Sequence, residues 1–381
     1  MATGDIAVFL YSHELEDERY PDDCPLKTER VLRTREIVSS LGLLSDSRVE
    51  EVNFAPAGRS DLEAFHLPAY LDALEAAAAG HHRLEYLEMG IGSKDCPVFP
   101  DMYSYGQLAC GGTLTAADLI TSGDAHIVFN PSGGFHHAGP AMASGFCYLN
   151  DIVLGCLRFT EVGMKVLVLD LDAHHGEGVQ EAFYDRNDVI YISLHESGRT
   201  LFPGTGFERE IGADSGRGYT VNMPLPVDTY DDAYLECFQQ VVMPLIAAYA
   251  PDVIVMELGM DALSGDPLAH LALTNNAYAT IVDNVVEFGT PLLATGGGGY
   301  HPDNTARSWA FLWGVMSGGV AIDHPPLALG GVFLESTEWH GGLQDRTQVP
   351  TVKQRRSVEP AVANTIERIR RDIFPCHSIS S

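Results

Sequence analysis

Short aliphatic and β-branched runs, each closed by turn residues and followed by apolar positions at helical spacing, recur along the chain. The runs predict strands at Ile6–Tyr11, His126–Asn130, Val166–Asp172, Val189–His195, Tyr219–Met223, Val253–Leu258 and Pro291–Thr295. Val166-Leu-Val-Leu169 and Val253-Ile-Val-Met256 are apolar on both faces, as strands covered by helices on both sides are. Helical spacing predicts helices over Lys27–Leu41, Tyr103–Ser122, Tyr148–Glu161, Asp231–Tyr249, Asn275–Phe288 and Asn304–Ser317. This alternation predicts one α/β domain spanning 1–381 and built on a mostly parallel sheet. No repeat, low-complexity linker or composition break marks a second domain. After about Asp323 the pattern weakens into a Pro/Gly-rich segment and a basic helix, Glu359–Asp372, expected to pack on the main body.

In such sheets ligands sit beyond the carboxyl ends of the strands. The strand ending at Asn130 runs into Gly133-Gly-Phe-His-His137, and Val166-Leu-Val-Leu169 runs into Asp170-Leu-Asp-Ala-His-His175. Val253-Ile-Val-Met256 runs into Glu257-Leu-Gly-Met-Asp261, and Pro291-Leu-Leu-Ala-Thr295 into Gly296-Gly-Gly-Gly-Tyr300. Polar, chemically capable residues are thus expected to converge at one edge.

Alternate residues of an extended segment share a face, so Asp170, Asp172 and His174 are expected to point the same way. Such a group is costly at the end of a buried strand unless it binds a cation or pairs internally. An EF-hand is excluded, because His175 stands at the position that needs glycine and a strand precedes it. Asp172, His174 and Asp261 make three ligands with a position left for water or substrate, as in a catalytic metal site. Carboxylate-rich ligation also suits Fe(II), Mn(II) or Co(II). His136-His137 reads either as a satisfied core pair or as a proton shuttle. The glycines around it, Gly133, Gly134 and Gly145, favour close approach to a ligand. Asp170 and Glu177 are the candidate carboxylate partners of the two rings. His81-His82, in a Gly- and charge-rich loop, carries no such signal. The glycines before Tyr300 form either a plain loop or a close approach to substrate; no phosphate-loop Lys follows them. Tyr300 could donate a hydrogen bond to an oxyanion.

Composition narrows the classes. The 381 residues are 45% hydrophobic, which supports a large core and excludes a disordered polymer. No apolar run spans a bilayer, and Met1 to Ser12 lacks the basic start of a signal peptide, so a cytoplasmic protein with no membrane contact is expected. Acidic residues number 52 against 23 basic, a net charge of −29, which disfavours nucleic acid and attracts cationic ligands. Seven cysteines with no C-x-x-C pair form neither a zinc-finger pattern nor a disulfide framework.

Taken together, these segments resemble the histone deacetylase family of zinc amidohydrolases, on its class I-like side. The likeness is carried by Ser132-Gly-Gly-Phe-His-His-Ala138, Ala143-Ser-Gly-Phe-Cys-Tyr-Leu-Asn-Asp151, Asp170-Leu-Asp-Ala-His-His-Gly176, Phe202-Pro-Gly-Thr-Gly206, Ser264-Gly-Asp-Pro267 and Gly296-Gly-Gly-Gly-Tyr300. It runs from about Asp95 to Ser317, more weakly over Phe65–Tyr70. The resemblance implies the arginase/deacetylase fold, a central eight-stranded parallel sheet flanked by helices. The ureohydrolase branch would need an Asp where Gly176 stands, so one catalytic metal is implied. Zinc would be held by Asp172, His174 and Asp261. His137 would be the general base and acid, His136 its electrostatic partner held by Asp170, and Tyr300 the oxyanion donor. Phe146 and Phe202, with Gly145 beside them, would wall a channel for a lysine stem, Leu268 would lie at its rim, and Asp95 would grip the substrate backbone. Structural potassium sites are implied near Asp170, Asp172, His174, Ser193 and Leu194, and near Phe183, Arg186, Val189 and Tyr219.

The sequence departs from the family pattern at Glu177, where Asp or Asn is usual beside the second histidine. Phe135 replaces a frequent Trp, and no long tail supports docking to a eukaryotic corepressor. The substrate implied is an acylated lysine on a protein or peptide, with an acetylated polyamine as the alternative. Leu268 stands where a polyamine site would want a carboxylate. A catalytically silent scaffold would not need the complete set of residues found here. The acidic, Lys-poor composition also suits a prokaryotic protein adapted to salt. Dialysis into low-salt buffer tests that expectation: a salt-adapted protein loses structure and activity, whereas unchanged structure and activity would leave only an acidic composition.

Overall fold

The computed structural model describes residues 6–320 and 342–380, so most of the Pro/Gly-rich stretch expected after Asp323 lies outside the described residues. Eight strands form one sheet: β1 (Ala7–Leu10), β2 (Val49–Val52), β3 (Ile127–Asn130), β4 (Val166–Asp170), β5 (Val189–Glu196), β6 (Thr220–Leu225), β7 (Val253–Glu257) and β8 (Leu292–Thr295). Their order is β2-β1-β3-β8-β7-β4-β5-β6, with every pairing parallel. Each residue of β3, β4, β5, β7 and β8 is buried, which is why these strands read as continuous apolar runs.

Helices flank the sheet: α1 (Glu29–Ser40), α2 (Arg59–Leu62), α3 (Pro68–Ala78), α4 (Met102–Ser122), α5 (Asp151–Glu161), α6 (Glu177–Phe183), α7 (Asp231–Cys237), α8 (Met243–Tyr249), α9 (Asn275–Glu287), α10 (Pro302–Met316) and α11 (Val352–Asp372). One π-type turn, Phe238–Val242, joins α7 to α8, so the predicted helix Asp231–Tyr249 is continuous but locally widened. α4 packs on α5, and α1 on α10, which in turn meets α9.

Differences from the sequence reading have local causes. β2 was not expected: Val-Glu-Glu-Val at the sheet edge has two exposed glutamates side by side, which breaks the alternation that marks a strand. α3 was not expected either, although Pro68 at its start is a helix-opening signal. The basic helix begins at Val352 rather than Glu359, capped reciprocally by Thr351 and Gln354, and Pro360 does not end it. Its Val358, Val362, Ile366 and Ile369 are buried, with the helix packed against β6 and α7.

The topology sets the site. From β3 the chain crosses to β4 and winds outward to β6, then returns to insert β7 and β8 between them. Register makes the last residues level: Asn130 pairs with Thr295, Thr295 with Glu257, Glu257 with Asp170, and Asp170 with Ser193. A row of polar groups therefore lines the carboxyl edge at the switch point, where ligands bind in open α/β sheets.

Beneath that edge, Trp313 of α10 stacks on Phe129 (6.4 Å, 17°), meets Phe9 edge-on at 5.4 Å and donates its indole N–H to Leu43 O at 3.1 Å. Replacing Trp313 with Ala should cost ~3–5 kcal/mol of stability by denaturant titration. A loss under 1 kcal/mol would show that this aromatic cluster does not anchor α10 to the sheet.

Candidate active site

The loop after β3 carries the histidine pair and is fixed from below. Asp151, at the start of α5, accepts from Gly134 N (3.1 Å), Phe135 N (2.8 Å) and the Thr113 hydroxyl (2.6 Å). Asn150 caps α5 through Val153 N at 3.0 Å and donates its side-chain N–H to Ala138 O at 2.9 Å. Both imidazoles are thus held by backbone contacts before any ligand arrives.

Each ring has its own carboxylate. His136 Nδ1 lies 2.9 Å from Asp170 Oδ2, and His137 Nδ1 lies 2.6 Å from Glu177 Oε2. The extra methylene of Glu177 does not break the second pair, and Ser144 donates to its other oxygen at 2.8 Å. The two Nε2 atoms approach to 3.1 Å. Burial works against charge on both rings. For His136 the neighbouring Asp170 outweighs burial, and its pKa is pushed up to about 10. For His137, burial and the neighbouring His136 outweigh Glu177, and its pKa falls below the ordinary value. One ring is therefore a cation and its neighbour a neutral acceptor at neutral pH. No side chain could stand at Gly145, where a Cβ would come within 2.3 Å of the His137 ring.

Asp172, His174 and Asp261 bring one ligand atom each to within 4.8 Å of one another, and all three are buried. They do so from a loop, because β4 ends at Asp170 rather than Asp172. Asp172 N donates to Asp170 Oδ1 at 3.1 Å, Ala173 N to Asp261 Oδ1 at 2.8 Å, and Gly298 N to Asp172 Oδ2 at 2.6 Å. A Cβ at Gly298 would stand 2.1 Å from Asp261 Oδ2. Burial and the charge of Asp172 raise the Asp261 carboxyl to about 7, and His174 Nδ1 lies 2.8 Å from Asp261 Oδ2 and 3.1 Å from Asp172 Oδ1. Two carboxylates and an imidazole fit a divalent metal ion.

Tyr300 hangs over this cluster, its ring 6.1 Å from that of His174 and its backbone N–H donated to Asp266 Oδ2 at 2.8 Å. Its hydroxyl has no hydrogen-bond partner among the described residues, and burial raises its pKa well above the ordinary phenol, so it stays a donor. Phe146 faces Tyr300 at 5.9 Å, and Phe202, 43% exposed, stands 5.2 Å from His137 and 6.4 Å from His174. Phe146 has a φ of 65°, held by Tyr20 OH on its carbonyl (2.8 Å) and by its N–H on Asp95 O (3.1 Å). The Asp95 carboxylate accepts from Gly145 N at 3.2 Å and Ser93 Oγ at 3.0 Å, tying the rim loop to the channel wall.

Leu268 lies half-buried on the loop that Asp266 organises, with its N–H on Asp266 Oδ1 at 2.8 Å. Ser193 and Leu194 lie on β5 next to Asp170, and Leu194 O already accepts from Tyr234 OH at 3.1 Å. Phe183 and Arg186 meet at the end of α6 through a 3.1 Å backbone bond, while Val189 opens β5 and Tyr219 precedes β6. His81 and His82 are exposed.

Sequence reasoning passed over Arg30, Glu257, Tyr191 and Asp266. Arg30 is buried beneath the cavity, donating to Gly297 O at 2.5 Å and Gly299 O at 3.0 Å. Its signal was an Arg on the buried face of α1 shared with Thr34, Ile37 and Val38. Tyr191 donates to Asp170 Oδ2 at 2.8 Å. Glu257 ends an apolar strand just as Asp170 does.

Glu177→Gln removes the charge that supports a proton on His137. The His137 titration, followed by ring-nitrogen NMR, should move to lower pH; an unmoved titration would show that Glu177 does not set this ring's proton affinity.

Residues 24–316 match the family model described as histone deacetylase domain. The chain is 35% identical over 312 residues to Histone deacetylase RPD3 of Saccharomyces cerevisiae, covering 81% of this chain and 71% of that one. It is 38% identical over 320 residues to the acetoin utilization protein AcuC of Bacillus subtilis, covering 82% of each. A crystal structure of a histone deacetylase homologue from Aquifex aeolicus superposes with a TM-score of 0.85 at 31% identity, covering 96% of this chain and all of that one. The chain belongs to the histone deacetylase family and is an enzyme of its hydrolytic, deacetylating class.

Proposed function

We propose that this enzyme is a metal-dependent amidohydrolase that removes acetyl or other acyl groups from lysine side chains of proteins or peptides. The observation that carries the reading is the pair of imidazoles, one cationic and one neutral, facing a two-carboxylate, one-imidazole cation site beside an unpartnered phenol. A divalent ion, zinc in this reading with iron(II), cobalt(II) or manganese(II) as alternatives, would be held by Asp172, His174 and Asp261 and would polarise the acyl carbonyl and acidify a water.

His137 has its Nδ1–H committed to Glu177, so its Nε2 is left to take the proton of the attacking water. His136 keeps its charge through Asp170 and resists taking a second role as base. As the C–N bond breaks, the proton held at His137 Nε2 passes to the departing lysine nitrogen. The Tyr300 hydroxyl donates to the carbonyl oxygen as charge develops there. Phe146 and Phe202 suit the methylene stem, and Asp95 at the mouth suits the backbone N–H groups of a polypeptide. Structural potassium at the carbonyl-rich turns around Asp170 and Tyr219 is part of the same reading, as is a cytoplasmic setting. No helix among the described residues is long and apolar enough to cross a membrane.

An acetylated polyamine is the second reading, because a net charge of −29 draws a small polycation as well as a basic peptide. Against it, Leu268 brings no carboxylate to the rim.

With metal-loaded enzyme, kcat/KM on an acetyl-lysine peptide should exceed that on acetylspermidine. The reverse order would move the substrate to polyamines, and no turnover of any acyl-lysine, with Asp261→Ala as control, would remove the enzymatic reading. Tyr300→Phe should lower kcat by about 10²–10³; a wild-type rate would take away its role. Because burial and the neighbouring His136 hold the His137 pKa below that of an ordinary imidazole and the ring acts unprotonated, kcat/KM should hold at neutral pH and fall only as pH drops through that depressed pKa.

A further inference from the structure

Glu257 takes no part in the chemistry described above, yet it is the last residue of a central strand and none of it reaches solvent. Parallel register places it level with Asp170 on the neighbouring strand, so the two side chains leave the sheet on the same side. Both reach for one atom: His136 Nδ1 stands 2.9 Å from Asp170 Oδ2 and 2.7 Å from Glu257 Oε2. The ring has one Nδ1–H, and it is aimed at Asp170. Neither Glu257 oxygen therefore has a hydrogen-bond donor among the described residues. Asp170, by contrast, is well supplied, with Tyr191 OH on Oδ2 at 2.8 Å and Asp172 N on Oδ1 at 3.1 Å.

A sealed side chain with two unpartnered oxygens is costly unless the groups around it fix its place, and here those groups are Asp170 and the His136 ring.

We propose that Glu257 is a positioning residue for the proton relay: wedged between Asp170 and the Nδ1 side of His136, it locks the Asp170–His136 pair and so the direction in which His136 presents Nε2 to His137. It touches neither substrate nor the reacting atoms and acts through His136. The buried group of His136, Asp172 and Glu257 could also hold an ion, and the same experiment decides between the two.

The kinetic readout rests on the amide hydrolysis proposed above; the spectroscopic one does not. Glu257→Leu and Glu257→Gln are compared with wild type for kcat, KM, bound-metal stoichiometry, melting temperature and the ring-nitrogen NMR signals of His136. Leu keeps the volume and removes both carboxyl oxygens. It should lower kcat about 10–100-fold, the range seen when an outer partner of an active-site ligand is lost, while KM changes less than about threefold. Gln restores donor and acceptor without charge, so it should recover kcat to near the parent value with the His136 Nδ1 signal in place. Unchanged kcat in Glu257→Leu overturns the proposal. So does Glu257→Gln if it is as impaired as Leu, since that would mean the negative charge is required, or if it lowers metal stoichiometry, since that would mean an ion site. Should Glu257→Leu fail to fold, Glu257→Gln alone decides through its His136 spectrum, a displaced Nδ1 signal counting against. Wild type that turns over no acyl-lysine substrate would defeat the functional reading while leaving the spectral comparison intact.

Discussion

Four carboxylates, Asp170, Asp172, Glu257 and Asp261, and three imidazoles, His136, His137 and His174, crowd the carboxyl edge of the sheet at 5% exposure or less. Their mutual repulsion in a space without bulk water is what the surrounding structure has to offset. Part of the offset comes from backbone N–H groups, which reach Asp170, Asp172 and Asp261 from their own loops and from the glycine loop after β8. Another part comes from His136 and His174, at which neighbouring carboxylates outweigh burial and support a charge on the ring. What is left over is negative, and it sits at Asp172 and Asp261, where the ligand atoms converge. The attraction for a divalent cation is thus a property of the whole charge arrangement and not of three ligands taken alone.

Such crowding is possible only because the sheet delivers its strand ends in step. Asn130, Thr295, Glu257, Asp170 and Ser193 share one level across five strands. A slip by one residue on any of these would turn a polar end group to the opposite face and bring an aliphatic one into its place. The buried aliphatic pairs behind each end, such as Val168 with Val255, fix that register. The core is therefore the reference frame for the chemistry, and the Trp313–Phe129–Phe9 cluster that seats α10 belongs to the same frame.

Most of this could be read from the residues because strand ends carry it. The central strands were legible as unbroken apolar runs, and the groups following Asn130, Leu169, Met256 and Thr295 were legible as chemistry because nothing apolar explains them. β2 stayed hidden because Glu50 and Glu51, adjacent and so on opposite faces of an edge strand, are both exposed, and Val49–Val52 lacks the alternation of a half-buried strand. Glu257 was visible as a residue but silent as to role: a charged strand end says only that a partner must exist, and the partner lies on β4, nearly ninety positions away in sequence, with Asp170 beside it in register. Leu268 shows the opposite limit. Its motif is local and recognisable, yet the loop that carries it is arranged by Asp266, whose oxygens divide between Leu268 N and Tyr300 N. Arg30 was masked by its own helix, since an Arg on an otherwise apolar face reads as a tolerated exception until the carbonyls of Gly297 and Gly299 are seen above it.

The two adjacent rings also differ in the proton affinity their surroundings give them. His136 and His137 are equally buried and have a carboxylate each, so burial alone would treat them alike. What separates them is the balance at each ring: Asp170 outweighs burial at His136, while at His137 burial and the neighbouring His136 outweigh Glu177. With the Nε2 atoms 3.1 Å apart, a proton on one ring discourages a proton on the other. Charge therefore settles on His136, and His137 is kept neutral by it. Pairs of titratable groups whose surroundings drive their proton affinities apart mark the division of labour in acid–base sites. Here the division is enforced from behind the inner ring by Asp170, the carboxylate at the end of β4.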